Sequence, residues 1–463
     1  MKHESPLACP ASAGARHSAC PGLLRVVAAR DGGLCRIRLP GGTLTTAQAR
    51  AVANAARTQA NGIIELTNRA NLQVRGVRAG SEHALSEALM RAGLGPDAGV
   101  PGGEGDATAY ENACVADDLR NLMLSPLAGC DPQACFDTTQ LVAPILDVLQ
   151  GEPRFAALSP KFAVLVDGGE RLVALDHPHD IWLAAFAHRD GVAFAFGLAG
   201  TPRDGALAAV APAQVPALLR ALLHAFLDLA QDGERRMREV CAVHGANAVL
   251  QHAWRYLDFA PLRDAAVCRW RRASTDTAAR LGAHALHADG SGYAGAQPPL
   301  GRIDAGTLDA LASLAQSQGD GTLRITPWQG VLLPNVAAGA MAHTIEQLHT
   351  LDLVTDPAAP LARLIACTGS AGCAKSRADT KADALRLAAR LPAHAEVHLS
   401  GCERSCAAAH RAPWTLLAVA PDCYDLYARD EAPAGFGRLV ASHLTIEAAA
   451  QTLAQRPRST PDA

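Results

Sequence analysis

The stretch IACTGSAGCAKSR, Ile365 to Arg377, and the stretch LSGCERSCAAAH, Leu399 to His410, decide how this chain is read. Together they give C-x5-C at Cys367 and Cys373, a gap of 28 residues, and C-x3-C at Cys402 and Cys406. The apolar run Leu361 to Ala366 predicts a buried strand ahead of the first pair. Arg377 to Leu391 predicts an amphipathic helix closed by Pro392, and Glu396 to Leu399 predicts the next strand. Each cysteine pair therefore begins just past a strand, in small-residue loops that contain Gly369, Gly372 and Gly401. The carboxyl ends of strands are where open α/β sheets bind ligands. Four thiolates in two glycine-rich loops suit an iron–sulfur cluster, whose ligand spacing is variable. A zinc site is the alternative, although structural zinc favours C-x2-4-C pairs; unrelated structural thiols are another.

Outward from this motif, the chain shows punctuation and a repeat. The Gly/Pro-rich stretches Pro96 to Ala107 and Ala288 to Pro299 read as linkers. Each is followed by a region where strand-length apolar runs alternate with helical patterns, for example Phe162 to Val166 and then Val215 to Leu229, which suggests α/β units. A helix pattern from Thr45 to Thr58, with Thr45 and Gln48 spaced as a capping box, leads into GIIELTNRANLQVRGV, Gly62 to Val77. A second helix pattern around Leu308, Leu311, Ala312 and Ala315 leads into GTLRITPWQGVLLPNV, Gly321 to Val336. Aligning Thr67 with Thr326 gives an offset of 326 − 67 = 259 residues, at which Gly62/Gly321, Leu66/Ile325 and Val77/Val336 coincide. That is the signature of an internal duplication with a period of about half the chain.

Bulk properties narrow the function classes. A length of 463 residues gives a prior of roughly three domains. The formal net charge of -3 supplies no overall field to draw in nucleic acid or a membrane surface, so any anion site must be local. No apolar run approaches the roughly 20 residues of a membrane span, and Met1 to Arg25 lacks a signal-peptide apolar core. The chain reads as cytoplasmic. Its 13 cysteines are odd in number and unevenly spread, which argues against a disulfide framework and for metal or redox chemistry.

The cysteine pattern resembles the cluster motif of the siroheme-dependent nitrite and sulfite reductases. In that family C-x5-C and C-x3-C hold a 4Fe-4S cluster, and the last cysteine bridges to siroheme iron. TNRANLQVRGV (Thr67 to Val77) resembles the family's T-x-R-Q-x-x-Q segment, DLRNLMLSPLAG (Asp118 to Gly129) its R-N-x-x-x-x-P-x-A-G segment, and LSPKFAVLVDGG (Leu158 to Gly169) its L-P-x-K-F segment. The resemblance implies an α+β fold with a duplicated architecture, two ferredoxin-like half-domains alternating with two α/β lobes. On that basis the expected division is an N-terminal tail 1–19, half-domain 20–95, lobe 108–262, a connecting segment with the second half-domain 263–345, the cluster-binding lobe 350–454, and a tail 455–463. It makes Cys367, Cys373, Cys402 and Cys406 the cluster ligands, and carries the anion-contacting positions onto Arg69, Arg120 and Lys161.

Within the superfamily, ACPGL (Ala19 to Leu23), LRITPWQGVLLP (Leu323 to Pro334) and SGCERSCA leading to His410 are similar to the precorrin-3B synthase subfamily. Nitrite and sulfite reductases usually carry Pro-Asn after the third cysteine, where Glu403 and Arg404 stand here, and a second basic residue where Ala163 stands. The missing charge argues against sulfite or nitrite as substrate. The implied reaction is hydroxylation and lactone formation on precorrin-3A with dioxygen, a tetrapyrrole occupying the place of siroheme and a mononuclear non-haem iron standing beside the cluster. A siroheme-dependent nitrite or sulfite reductase is the alternative reading.

Other residues have two readings each. Arg75 and Arg324 are further candidate cations, Arg75 by strand alternation with Arg69. Trp328, aligned with Arg69 in the repeat, either stacks on a macrocycle or packs in the core. The tract DHPHD, Asp176 to Asp180, has the residue types of a two-histidine, one-carboxylate iron site, or else forms a turn opening a helix at Asp180. His410 stands near the cluster or packs, and Cys20 is a conceivable extra ligand. Cys9, Cys35, Cys114, Cys130, Cys135, Cys241, Cys268 and Cys423 read as buried or incidental thiols. With no G-x-G-x-x-G or P-loop in strand–helix context, electrons are expected from a separate donor protein.

Overall fold

A computed structural model of the chain describes residues 20–96, 107–408, 410–430 and 435–456. The expected tail 1–19 with Cys9, the interior of the first Gly/Pro stretch (97–106) and the end of the C-terminal tail (457–463) lie outside the described residues.

The duplication extends well beyond the two segments that suggested it. The same offset maps helix Thr46–Gln59 onto Ala305–Gln318, strands Ile63–Leu66 and Leu72–Val77 onto Thr322–Ile325 and Val331–Val336, and helix Glu82–Arg91 onto Met341–Thr350. Both long helices start where a side chain satisfies their first free amides. Thr45 forms the capping box with Gln48, and Asp304 accepts from the Thr307 amide at 2.7 Å. The halves also exchange strands. Arg302–Asp304 pairs antiparallel with Ile63–Leu66, and Thr43–Thr45 pairs with Thr322–Ile325, so each five-stranded sheet ends on a strand from the other half. One apolar core, with Leu44, Val52, Ile64, Leu311 and Leu323 fully or almost fully buried, serves both halves.

Each lobe has one sheet of the same topology. Leu122–Leu124, Val164–Asp167 and His179–His188 run parallel, then Gly191–Gly200 and Ala208–Val210 return antiparallel. In the second lobe Leu364–Ala366, Val397–Ser400 and Trp414–Ala420 run parallel, followed by antiparallel Cys423–Ala428 and Arg438–Leu444. Helix Val215–Leu229 lays Leu218, Leu222 and Phe226 into the first lobe's core. No helix among the described residues is long and apolar enough to cross a membrane.

Four local expectations need correction. The second Gly/Pro stretch is no linker, since it contains the buried strand Gly292–Ala296. Its glycines permit close backbone approach: a Cβ on Gly292 would stand 1.9 Å from the His284 carbonyl oxygen. Asp180 opens no helix. It lies in strand His179–His188, where alternation sends Ile181, Leu183 and Ala185 into one core and Trp182, Ala184 and Phe186 into another. The strand expected over Leu361 to Ala366 is limited to Leu364–Ala366, because Pro360–Arg363 forms a helical turn. The helix expected over Arg377 to Leu391 is Thr380–Ala388, started by Asp379.

Candidate functional site

The two cysteine loops leave the adjacent parallel strands Leu364–Ala366 and Val397–Ser400 and fold against each other. Gly369 takes a left-handed φ of 77°, and its carbonyl accepts the Cys373 amide at 2.9 Å, turning the first loop back. The Arg377 amide donates to the Gly401 carbonyl at 2.9 Å and joins the loops. Cys367 Sγ accepts the Gly401 amide at 3.2 Å and lies 3.3 Å from Thr380 Oγ1. Burial first, then the neighbouring Cys402, Cys367 and Cys373, push the Cys406 thiol above its usual range. A cationic centre bound among the four sulfurs would remove that repulsion from Cys406. The donor set fits an iron–sulfur cluster, with one N–H···S contact, from Gly401 to Cys367, already in place.

Half-domain 1 grips these loops from behind. Arg75 donates to the Gly372 carbonyl at 2.9 Å while bonding Asp31 at 2.8 and 2.9 Å. Thr368 donates to Glu65 at 2.8 Å, and Asn68 to the Cys406 carbonyl at 3.3 Å. Buried Lys381 donates to the carbonyls of Leu300 (2.6 Å) and Ala366 (3.4 Å). Arg75 thus supports the cluster loop and does not face a ligand.

In front of the loops lies a cavity of about 800 Å³ bordered by both lobes and the half-domains. Arg36, Arg69, Lys161 and Arg404 line it, and among the described residues none of these four has a carboxylate within ion-pair distance. Burial and the cations Arg236 and Arg36 bring Arg69 down to about 10, so it is still charged at neutral pH. Arg36 is likewise lowered by burial and by Arg38.

Of the three expected anion-binding residues, the structure brings two together: Arg69 Nη1 donates to the Lys161 carbonyl at 3.4 Å. Arg120 is corrected. Its buried guanidinium donates to the Leu94 carbonyl at 2.7 Å and faces Asp117 at 3.8 Å, away from the cavity wall. Asp117 sits in a prior pairing with Arg38 at 2.7 Å, and this acidic pocket captures Arg120. Arg324 is also elsewhere, with Thr43 and Cys130 as partners. Trp328 packs partly buried against the apolar clusters around Trp182 and Leu332. Cys20 does not line the cavity; its carbonyl accepts from Arg25. Cys35, Cys114 and Cys130 are buried, whereas Cys135 and Cys268 are exposed.

Two features were missed in the sequence. Arg36 and Arg38, alternate residues of RIR, both reach the cavity side, a period-2 signal available in the strand. The second is His398, and with it the way the fold joins the histidines of the DHPHD tract and His410 into one wall. His177, His179 and His398 are 3%, 4% and 1% exposed and border the cavity with His410. Burial drives His177 down to about 4 and His179 to about 3, leaving neutral imidazoles.

The family model described as nitrite and sulphite reductase 4Fe-4S domain matches residues 115–258, ahead of the four cysteines. The model described as nitrite/sulfite reductase ferredoxin-like half domain matches 28–92 and 286–351, the two repeated segments. A chloroplastic ferredoxin–nitrite reductase of Zea mays is 30% identical over 411 residues, 81% of this chain and 67% of that protein. A precorrin-3B synthase of Sinorhizobium sp is 31% identical over 432 residues, 89% of this chain and 82% of that protein. The chain spans about two thirds of the length of the plant nitrite reductases it matches. The structure of Mycobacterium tuberculosis NirA protein superposes with a TM-score of 0.72 at 20% identity, over 91% of this chain and 80% of that one, a likeness of fold.

Proposed function

The chain belongs to the nitrite and sulfite reductase family, and from that premise we propose that it is the oxidoreductase that hydroxylates precorrin-3A with dioxygen and closes the lactone of precorrin-3B, in cobalamin biosynthesis. Cys367, Cys373, Cys402 and Cys406 would hold a 4Fe-4S cluster, which supplies single electrons when bound. One oxygen atom enters the substrate and the other leaves as water, so two electrons and two protons arrive per turnover, the electrons from a separate donor protein. The resemblance to precorrin-3B synthases implies a mononuclear non-haem iron as a second metal.

The observation that carries the reading is the dispersal of unpaired cations around a large cavity. Arg36, Arg69, Lys161 and Arg404 come from different parts of the chain and, among the described residues, have no carboxylate within ion-pair distance. Such a set suits the scattered carboxylates of a tetrapyrrole through charge-assisted hydrogen bonds. A small oxyanion needs the opposite, cations converging on one point, and here Ala163 is apolar and buried while Arg120 donates to the Leu94 carbonyl. The 31% identity with a precorrin-3B synthase over most of both chains supports the same reading. Similarity to nitrite reductases keeps siroheme-dependent nitrite or sulfite reduction as the second reading. Anaerobic titration with precorrin-3A, alongside nitrite and sulfite reduction assays, separates them: the proposal expects saturable precorrin-3A binding and negligible turnover of either anion. Bound siroheme with brisk anion reduction would overturn it.

A further inference from the structure

The histidine wall has features that packing alone does not account for. Asp176 and His177 lie on the segment entering strand His179–His188 of the first lobe, and His410 lies four residues past Cys406 in the second. The chain brings one ligand atom from each of the three within 4.8 Å of the others. Asp176 Oδ1 is 3.5 Å from His177 Nδ1, and Asp176 Oδ2 is 3.3 Å from His410 Nε2. The two imidazoles stand 5.3 Å apart at 67°, so they are not stacked.

Hydrogen bonding leaves the group unsatisfied. Among the described residues, Asp176 Oδ1, His177 Nδ1 and His410 Nδ1 are buried without a hydrogen-bond partner, one orphan on each member of the trio. Buried polar groups are ordinarily paired, and a cluster of exceptions calls for an occupant. His179 Nδ1 and His398 Nε2, also buried and unpartnered, extend the same wall.

We propose that Asp176, His177 and His410 form a second metal site, for a divalent first-row transition metal, at the seam between the lobes and beside the cysteine loops. Two imidazoles and one carboxylate are the ligand types of non-haem iron(II) sites with open coordination positions. Ligands about 2.1 Å from a metal and at right angles stand about 3 Å apart, and one ligand atom from each of the three lies within 4.8 Å of the others, so side-chain rotation closes the set. His177 lines the substrate cavity, which places the open positions toward a bound ligand. The choice of iron(II) rests on the proposed function; the site itself rests on the geometry. Because one ligand follows Cys406 and two come from the other lobe, the metal would also tie the cluster-bearing loop in place.

The test uses full-length protein reconstituted anaerobically with iron and sulfide. A 4Fe-4S cluster contributes equal iron and sulfide, so the proposal expects iron to exceed sulfide by about one atom per chain, with a high-spin ferrous component in the Mössbauer spectrum. Asp176→Asn, His177→Gln and His410→Gln should each remove that excess and that component while sulfide is kept, and His252→Gln, on the surface of the first lobe, should keep both. Native protein in which zinc replaces the excess iron should give an X-ray absorption spectrum with imidazole scattering, whatever the variants do. Equal iron and sulfide in native protein, variants that retain the excess, or a sulfur-only zinc shell would each overturn the site. A protein that holds this metal yet ignores precorrin-3A would remove the functional reading and leave the site standing.

Discussion

Arg69 and Arg120 occupy equivalent places in the motif argument and opposite places in the structure, so replacing each with alanine separates the two kinds of reasoning. Arg69 stands at the cavity, and among the described residues its guanidinium donates to a backbone carbonyl at a long 3.4 Å. Truncation strands no buried acid and relieves repulsion with Arg236 and Arg36. A hydrogen bond to a charged group contributes about 1.5–3 kcal/mol, which is about a 10- to 150-fold weakening of precorrin-3A binding. The midpoint of unfolding should stay level or rise slightly. Arg120→Ala should do the reverse. It leaves the Leu94 carbonyl without its 2.7 Å donor and removes a cation beside Asp117, whose pairing with Arg38 remains. The expected cost is about 1–3 kcal/mol of stability, with substrate affinity unchanged in the folded protein. Anaerobic titration followed by absorbance gives the affinities, and chemical denaturation gives the stabilities. Full affinity in the Arg69 variant, with a large loss in a well-folded Arg120 variant, would refute the assignment of the cavity.

Three further perturbations probe the cluster loops. Serine at any one of Cys367, Cys373, Cys402 or Cys406 should remove most iron and sulfide, because a hydroxyl does not replace a soft thiolate; iron and sulfide counts decide it. Gly401→Ala should lower cluster content and cost about 1–3 kcal/mol, since its Cβ would stand 1.8 Å from Ser376 Oγ and 2.8 Å from Ser376 Cβ, too close for a rotamer change to resolve. Arg75→Met should cost about 3 kcal/mol by leaving the acids of a buried ion pair behind, and the loosened Gly372 carbonyl should show as faster bleaching of the cluster in air.

Much of the architecture is legible in the sequence because local rules and the repeat agree. The Thr45–Gln48 capping box fixes the start of one helix, and the offset that aligns Thr67 with Thr326 carries that helix, two strands and a second helix onto their counterparts. Cys367 to Cys406 are legible for a different reason: their spacing falls in loops that the flanking strands announce. The exchange of Thr43–Thr45 with Arg302–Asp304 is invisible, since three-residue strands carry no periodicity and pair far away in sequence. Arg120 shows how a motif places a residue without revealing its partner; the Leu94 carbonyl, 26 residues earlier, takes the guanidinium's hydrogen bond. The trio Asp176, His177 and His410 joins two lobes, so only the fold brings a plausible tract and an isolated histidine into one group. Gly292 and Gly295 misled in the other direction, because glycine marks close approach inside a sheet as readily as it marks a loop.

Oxygenation of a tetrapyrrole is the proposed activity of this scaffold. Purified protein with its cluster intact, given precorrin-3A, a one-electron donor and isotopically heavy dioxygen, should yield precorrin-3B carrying one labelled oxygen atom, as read by mass spectrometry. Unaltered precorrin-3A from protein that instead retains siroheme and reduces nitrite or sulfite would contradict it.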